Sequence, residues 1–72
     1  MDHMIHVLHG IFEGYEMRTD HVNGTLKVFG PAEELYALAI WARDKALFTG
    51  IVYREADGVV IRVVLGFSPA RE

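Results

Sequence analysis

The sequence contains no cysteine, and this absence excludes several classes of small protein. Its 72 residues cannot be held together by disulfides, nor can they form the cysteine-based metal sites that support many small domains. A domain of this size buries only about 60% of the surface of its unfolded chain. Because 51% of the residues are nevertheless hydrophobic, we expect oligomerisation to supply additional burial.

Basic residues are also scarce, and they form no cluster. The chain has seven Lys and Arg against ten Asp and Glu, which gives a net charge of −3. Nucleic-acid binding depends on neutralising phosphates with such residues, so we predict no nucleic-acid partner. No apolar run approaches the roughly 18–20 residues of a membrane span, and no signal-peptide pattern opens the chain. We therefore predict a cytoplasmic protein without a membrane partner.

Turn signals occur along the chain, but the chain contains no linker and no internal repeat. We therefore predict a single α+β domain over residues 1–72. Residues 1–3 are compatible with a cloning remnant, and residues 68–72 are predicted to be a frayed tail. Pro31 and Gly50 are predicted to begin and end one helix. Two dipeptides, Asn23-Gly24 and Asp57-Gly58, are typical of β-hairpins.

The N-terminal stretch is compatible with two structures. Its apolar residues fall at helical spacing: Met4, Val7, Leu8, Ile11, Phe12 and Tyr15. A helix of that length would contain Gly10 and Gly14, each costing about 1 kcal/mol relative to Ala. We therefore favour a strand that turns at Glu13-Gly14 and keep the helix as the alternative. The favoured reading predicts the order β-β-β-α-β-β, one antiparallel sheet packed against one helix.

The Asn23-Gly24 hairpin is predicted to have a two-residue turn that pairs Asp20 with Lys27. This turn places four side chains on one face of the sheet: Met17, Thr19, Leu26 and Val28. Charged residues dominate the opposite face of the same hairpin. We therefore predict that the first of these two faces packs against the core.

The second hairpin has two candidate registers, a two-residue turn at Asp57-Gly58 or a three-residue loop over residues 56–58. The longer loop gives the cleaner alternation and places Arg54 and Arg62 together on one face among valines. We interpret these arginines as partner-binding residues for an acidic partner or an anionic ligand. A solvated face, with arginine stems covering the valines, is the alternative.

The predicted helix is apolar on more than one side. One stripe is suited to lie on the sheet: Leu35, Leu38, Ala39, Ala42 and Ala46. A second stripe carries Tyr36, Ile40 and Leu47, and Trp41 lies on the other flank. Because a sheet covers only one stripe, we predict that Tyr36, Ile40, Trp41 and Leu47 form the interface of a homo-oligomer, most simply a dimer.

No group of reactive residues indicates an enzyme. Ser68 is the only serine and lies in the predicted tail, and phosphate-binding loops are absent. His6 and His21 face each other in the predicted first hairpin, but a pair falls short of the four ligands typical of structural zinc. We therefore predict no catalysis, no cofactor and no metal, with this pair as the weak metal candidate.

Composition and motifs together predict a non-catalytic protein-interaction module, a small regulator or inhibitor that acts as a homo-oligomer by surface binding to another protein. The alternative is a small-ligand binding protein whose aromatic or anionic ligand lies between subunits. A nucleic-acid binder ranks third.

Overall fold

A computed structural model of the protein describes residues 2–64. The elements are helix α1 (Asp2–Ile11), strands β1 (Glu16–Asp20) and β2 (Thr25–Phe29), helix α2 (Ala32–Asp44), and strands β3 (Gly50–Glu55) and β4 (Gly58–Val63). The four strands form one antiparallel sheet in the order β1-β2-β4-β3. The predicted α+β class with an antiparallel sheet is therefore confirmed. The predicted tail at residues 68–72 lies outside the described residues.

Helix α1 stands where a strand was predicted, so the order is α-β-β-α-β-β and the favoured β-β-β-α-β-β reading is wrong. The helix buries Ile5 and Leu8, and Phe12 follows directly after it, also buried. Only Gly10 falls inside the helix, since Gly14 lies in the turn beyond it with a φ of 99°. Burial of three large side chains, at roughly 1.5–3 kcal/mol each, outweighs the cost of one helical glycine.

The loop between β1 and β2 is longer than predicted. Asp20 pairs with Thr25, so residues 21–24 form a four-residue loop. The Asp20 carboxylate accepts hydrogen bonds from the backbone N–H groups of Val22 and Asn23, at 3.0 and 3.2 Å, and from Asn23 Nδ2 at 2.8 Å. These bonds lower the pKa of Asp20, with the Asn23 side chain as the largest cause. The side chain of Asp20 is thus engaged in the loop.

The register of this hairpin shifts by two residues, which leaves every side chain on its predicted face. The core-facing set is therefore confirmed, with Leu26 and Val28 buried and Met17 and Thr19 half-buried. The predicted pairing of Asp20 with Lys27 is wrong, because Arg18 lies opposite Lys27.

The β3–β4 hairpin has a register that differs from both predictions. Glu55 pairs with Gly58, which leaves a two-residue loop at residues 56–57. The predicted three-residue loop is therefore wrong, and Arg54 and Arg62 lie on opposite faces of the sheet. Arg54 shares the helix side with its partner Val59, whereas Arg62 lies on the other side.

Close packing against β2 explains why Gly58 belongs to the strand and not to the turn. A Cβ atom on Gly58 would lie 1.9 Å from the backbone oxygen of Val28, and its φ is 156°. The glycine is therefore required by the approach of two backbones, a long-range contact that the Asp57-Gly58 dipeptide does not reveal.

Helix α2 begins after Pro31, as predicted, but ends at Asp44, six residues before Gly50. Its last turn is closed by Ala46, which adopts a left-handed φ of 62°. The N–H of Ala46 donates to the Arg43 carbonyl at 2.9 Å, and that of Leu47 to the Ala42 carbonyl at 3.0 Å. This is the Schellman arrangement, in which glycine usually occupies the position of Ala46.

The sheet has one covered face and one uncovered face. Both helices pack on the covered face, and the core is made of apolar side chains only: Ile5, Leu8, Phe12, Leu26, Val28, Leu35, Ala39, Ala42, Phe48, Val52, Val59, Ile61 and Val63. We call the opposite side the open face; its side chains are Glu16, Arg18, Asp20, Thr25, Lys27, Phe29, Ile51, Tyr53, Glu55, Val60 and Arg62. None of these side chains is buried, so the elements within residues 2–64 leave this surface without a covering layer.

Candidate functional site

The centre of the open face carries a lysine whose charge is balanced by two carboxylates. Lys27 forms ion pairs with Glu55 and with Asp57, the latter at 2.8 Å. The carboxylates of Asp57 and Glu55 raise the pKa of Lys27, and Lys27 lowers the pKa of Asp57. This ion-pair cluster joins β2 to the β3–β4 hairpin. The positive charge of Lys27 is therefore compensated by these two carboxylates and attracts an outside acid only weakly.

Phe29 lies beneath two cations. Lys27 Nζ lies 5.1 Å from the centroid of the Phe29 ring, and Arg18 Cζ lies 5.8 Å from it. Cations within about 6 Å of an aromatic face are attracted to the ring quadrupole. The ring is therefore already engaged within the chain and does not present a bare surface for stacking.

Among the described cations of the open face, Arg62 is the one that neither joins the Lys27 ion-pair cluster nor lies over the Phe29 ring. It lies on β4 between Thr25 of β2 and Ile51 of β3, and it is exposed. Within residues 2–64 it forms no ion pair. Apolar side chains of the open face, including Tyr53 and Val60, flank it along the two strands. The structure thus places a positive charge that has no carboxylate partner within residues 2–64 beside the apolar side chains of Ile51, Tyr53 and Val60.

Arg54, the other predicted partner-binding residue, is engaged on the helix side. Its Nη1 donates to the two carboxylate oxygens of Glu33, at 3.1 and 3.3 Å. Its guanidinium lies 4.7 Å from the Tyr36 ring centroid. Both side chains of the ion pair are more than half exposed, so the pair contributes little to stability. Arg54 therefore connects the β3 edge to α2 and lies apart from Arg62.

The predicted oligomer interface occupies two different parts of the α2 surface. Tyr36 and Ile40 are half-buried and pack against the core, on the flank that leans over β3. Trp41 is 50% exposed and lies about 140° around the helix from Tyr36. Leu47 is exposed just after the helix. The structure therefore leaves Trp41 and Leu47 as apolar groups in contact with solvent.

Histidines form a second candidate site, which we had predicted only in part. A cleft of about 360 Å³ is lined by His6, His9, His21 and, at its floor, the buried Ile5. His9 Nε2 lies 2.9 Å from Thr19 Oγ1. His6 and His21 line one cleft, although a helix and a loop bring them there and the predicted hairpin is absent. His9 was not part of the predicted pair; its spacing of three from His6 on a helix is the signal that places them together.

The cleft offers imidazole groups that can donate or accept hydrogen bonds and stack on planar molecules. No group of three His, Asp or Glu side chains in the described part of the chain is arranged to hold a metal ion. The cleft is therefore a polar rim over an apolar floor, and we treat it as a candidate pocket for a small planar ligand.

Comparison of the chain with known protein families, with curated proteins and with solved structures finds no match. Neither helix within residues 2–64 is long and apolar enough to cross a membrane. The candidate functional surfaces are therefore the open face, the α2 surface and the histidine cleft.

Proposed function

We propose that the protein is a non-catalytic protein-interaction module, a small regulator or inhibitor that acts as a homo-oligomer and binds another protein by surface contact. The observation that carries this proposal is the open face, where Ile51 and Tyr53 are nearly half exposed beside Arg62, which forms no ion pair within residues 2–64. Exposed apolar patches on small soluble domains are typical of interaction sites. Arginine and tyrosine are also enriched among residues that dominate binding energy.

The chemistry of the open face defines the partner that fits it. Arg62 pairs with no carboxylate of residues 2–64, so an acidic side chain of the partner would complete the pair. The neighbouring Ile51 and Val60 favour apolar side chains on either side of that acid. We therefore propose a partner segment in which an Asp or Glu is flanked by apolar residues. Arg54 has no part in this contact, since it lies on the other face.

Selection of displayed peptides on the immobilised protein tests this proposal. We expect enrichment of peptides that carry Asp or Glu between apolar residues. Arg62→Glu should weaken their binding at least tenfold, because attraction becomes like-charge opposition. Arg18→Glu is the matched control, since it makes the same charge change on the far edge of the same face and should leave binding within about twofold. Enrichment of peptides without acids, or unchanged binding by Arg62→Glu, would contradict the proposal.

The homo-oligomer is the second part of the proposal and has its own test. Light scattering at micromolar concentration should give a mass at least twice the 8.1 kDa of the chain. Ile40→Glu should reduce that mass or the solubility, because it places a charge on the half-buried flank of α2. Val22→Glu, in a loop position that is 92% exposed, is the control. A monomeric wild-type protein would contradict this part.

A small-ligand binding protein is the second candidate function, and the histidine cleft supports it. A thermal-shift screen with aromatic carboxylates is the direct test, since such compounds are both planar and anionic. A shift that His6→Ala abolishes and Val22→Ala preserves would favour this function. The absence of any shift at millimolar concentration would count against it.

A further inference from the structure

We infer that two copies of the chain pair through strand β3, antiparallel and centred on Val52, to form one continuous sheet of eight strands. This inference rests on the homo-oligomer of the proposed function and specifies its geometry. Within residues 2–64, strand β3 is an edge of the sheet, with β4 on one side and no strand on the other. The backbone groups that face this free side determine how a further strand could pair with β3.

The hydrogen-bond pattern identifies these groups. The N–H of Val64 donates to the carbonyl of Thr49 at 2.8 Å, so the backbone N–H and C=O groups of these two residues point toward each other. Hydrogen-bonded and non-bonded pairs alternate along antiparallel strands. The residues whose backbone groups point away from β4 are therefore Gly50, Val52 and Arg54. Together they present a short row of donors and acceptors to a further strand.

Natural proteins protect such edges with lysine, proline, bulges or a covering element. Strand β1, the other edge, carries the charged Glu16, Arg18 and Asp20 on its open-face side. The open-face side of β3 carries Ile51 and Tyr53 before Glu55, and its pairing with β4 contains no bulge. Of the two edges, β3 is therefore the one with the more apolar open-face side, and Arg43 covers only its Gly50 end.

The pairing register follows from the edge-facing residues. In an antiparallel pair, edge-facing residues must lie opposite edge-facing residues of the partner strand. A two-fold axis at Val52 places Gly50 opposite the partner's Arg54, so that the whole row is paired. The same register places Ile51 opposite the partner's Tyr53 on the open face, an aliphatic–aromatic cross-strand contact.

Charges at the two ends of β3 favour a second copy over an unrelated strand. At one end, Arg43 Nη1 lies 3.4 Å from the Gly50 carbonyl oxygen. At the other end, the Glu33 carboxylate lies 3.1 Å from Arg54 Nη1. A two-fold rotation exchanges the ends, so each Arg43 comes next to the partner's Glu33. The two α2 helices then run antiparallel, which also sets their macrodipoles in a favourable arrangement.

The same arrangement covers part of the α2 surface. Tyr36 and Ile40 lie on the flank of α2 that leans over β3, so this flank would meet the same flank of the partner. Trp41 lies on the other flank and stays outside the contact. In this dimer Tyr36 and Ile40 would both lie in the contact between the two α2 helices, whereas Trp41 would not.

Engineered cysteines test the register directly, because the native chain has none. Ile51→Cys and Tyr53→Cys proteins are mixed and oxidised mildly with glutathione. In the inferred register, residues 51 and 53 of different copies lie about 4.5 Å apart between Cα atoms, which suits a disulfide. Two copies of residue 51 lie about 7–8 Å apart, which does not. We expect the mixture to form covalent dimers at least fivefold faster than Ile51→Cys alone. Arg18→Cys, on the other edge, is the control and should not cross-link with itself.

A charge variant completes the test. Ile51→Lys with Tyr53→Lys opposes like charges across the inferred interface and should reduce the mass to one chain, with an unchanged circular dichroism spectrum. Val22→Lys is the control and should keep the oligomer. An oligomer that survives the double change and shows no 51–53 cross-link would overturn the inference but leave the homo-oligomer intact. A monomeric wild-type protein would overturn both.

Discussion

Ala46 occupies a backbone conformation that suits glycine better than alanine. Its φ of 62° closes helix α2 in a Schellman arrangement. A left-handed conformation costs an L-residue roughly 1–2 kcal/mol because its Cβ crowds the following carbonyl. Because Ala46 is exposed, a substitution at this position can relieve the strain without disturbing the core.

Ala46→Gly should therefore stabilise the protein by about 0.5–1 kcal/mol, measured as the free energy of unfolding in urea. The glycine relieves the strained conformation, and its greater freedom in the unfolded chain offsets part of the gain. Ala37→Gly is the matched control, because this exposed position inside α2 should lose about 1 kcal/mol. Equal losses at the two positions would contradict the left-handed assignment.

The carboxylates of Asp57 and Asp20 make stability depend on pH on the acid side. Both have a pKa below the ordinary value of 3.8, held there by Lys27 for Asp57 and by Asn23 for Asp20. A lowered folded-state pKa contributes stability above the ordinary value, and this contribution is lost as the pH falls through the folded pKa. The contribution of Lys27 to stability depends on pH in the opposite direction. Its pKa is raised above the ordinary value of 10.5, so this contribution is lost as the pH rises beyond that value.

We expect the urea midpoint to decline as the pH falls below about 4 and as it rises beyond the ordinary lysine pKa of 10.5. Asp57→Asn should reduce both declines, because it removes one acid and the main partner of Lys27. Asp20→Asn should reduce only the acid decline, since Asp20 is engaged in the β1–β2 loop. Identical profiles for the two variants would contradict the ion-pair assignment.

At the scale of elements, close approach between strands determines the β3–β4 hairpin. Gly58 packs its backbone against the Val28 carbonyl, and Gly50 approaches the Arg62 carbonyl in the same way. Neither contact is local, since each joins residues from different strands. The hairpin therefore takes its register from its neighbour β2 as much as from its own turn residues.

Gly58→Ala should destabilise the protein by at least about 2 kcal/mol, because a Cβ would lie 1.9 Å from a backbone oxygen that cannot move alone. Gly10→Ala is the matched control. Nothing lies within 4 Å of a Cβ at that helical position, so this change should stabilise by about 0.5–1 kcal/mol. Chemical denaturation measures both, and a Gly58→Ala variant of unchanged stability would mean that the hairpin has another register.

At the scale of the whole molecule, two helices cover one face of the sheet and leave the other open. An open antiparallel face with aromatic and basic residues also occurs in proteins that stack nucleic-acid bases. Here Phe29 lies under Lys27 and Arg18, and the lysine is itself paired with two acids. These contacts favour the proposed protein partner, with apolar and acidic groups, over a nucleic acid.

We expect no nucleic-acid binding tighter than the roughly 10⁻⁴–10⁻⁶ M of non-specific contact at about 150 mM salt. The net charge of −3 and the paired Lys27 are the reasons. Fluorescence anisotropy with labelled single-stranded DNA and RNA measures this. Sub-micromolar, steeply salt-dependent binding that Arg62→Glu abolishes would contradict the expectation and assign the open face to a nucleic acid.

The sequence by itself determined the parts of the fold that local chemistry decides. Pro31 marked the start of α2, the Asn23-Gly24 and Asp57-Gly58 pairs located the two hairpins, and the alternation along β1 and β2 identified their core face. Part of the predicted stripe of α2 also followed from its spacing, since Leu35, Ala39 and Ala42 are buried, whereas Ala46 lies beyond the helix and is exposed. These features depend on a residue and its near neighbours, which the sequence shows directly.

Tertiary structure alone decided the rest. Residues 2–11 have competing local preferences, and only burial of Ile5 and Leu8 against the sheet selects the helix. The β3–β4 register depends on the contact of Gly58 with Val28, which separates Arg54 from Arg62. The cleft of His6, His9 and His21 likewise exists because a helix and a distant loop meet. In each case the deciding energy comes from contacts between residues far apart in the chain, which no local pattern records.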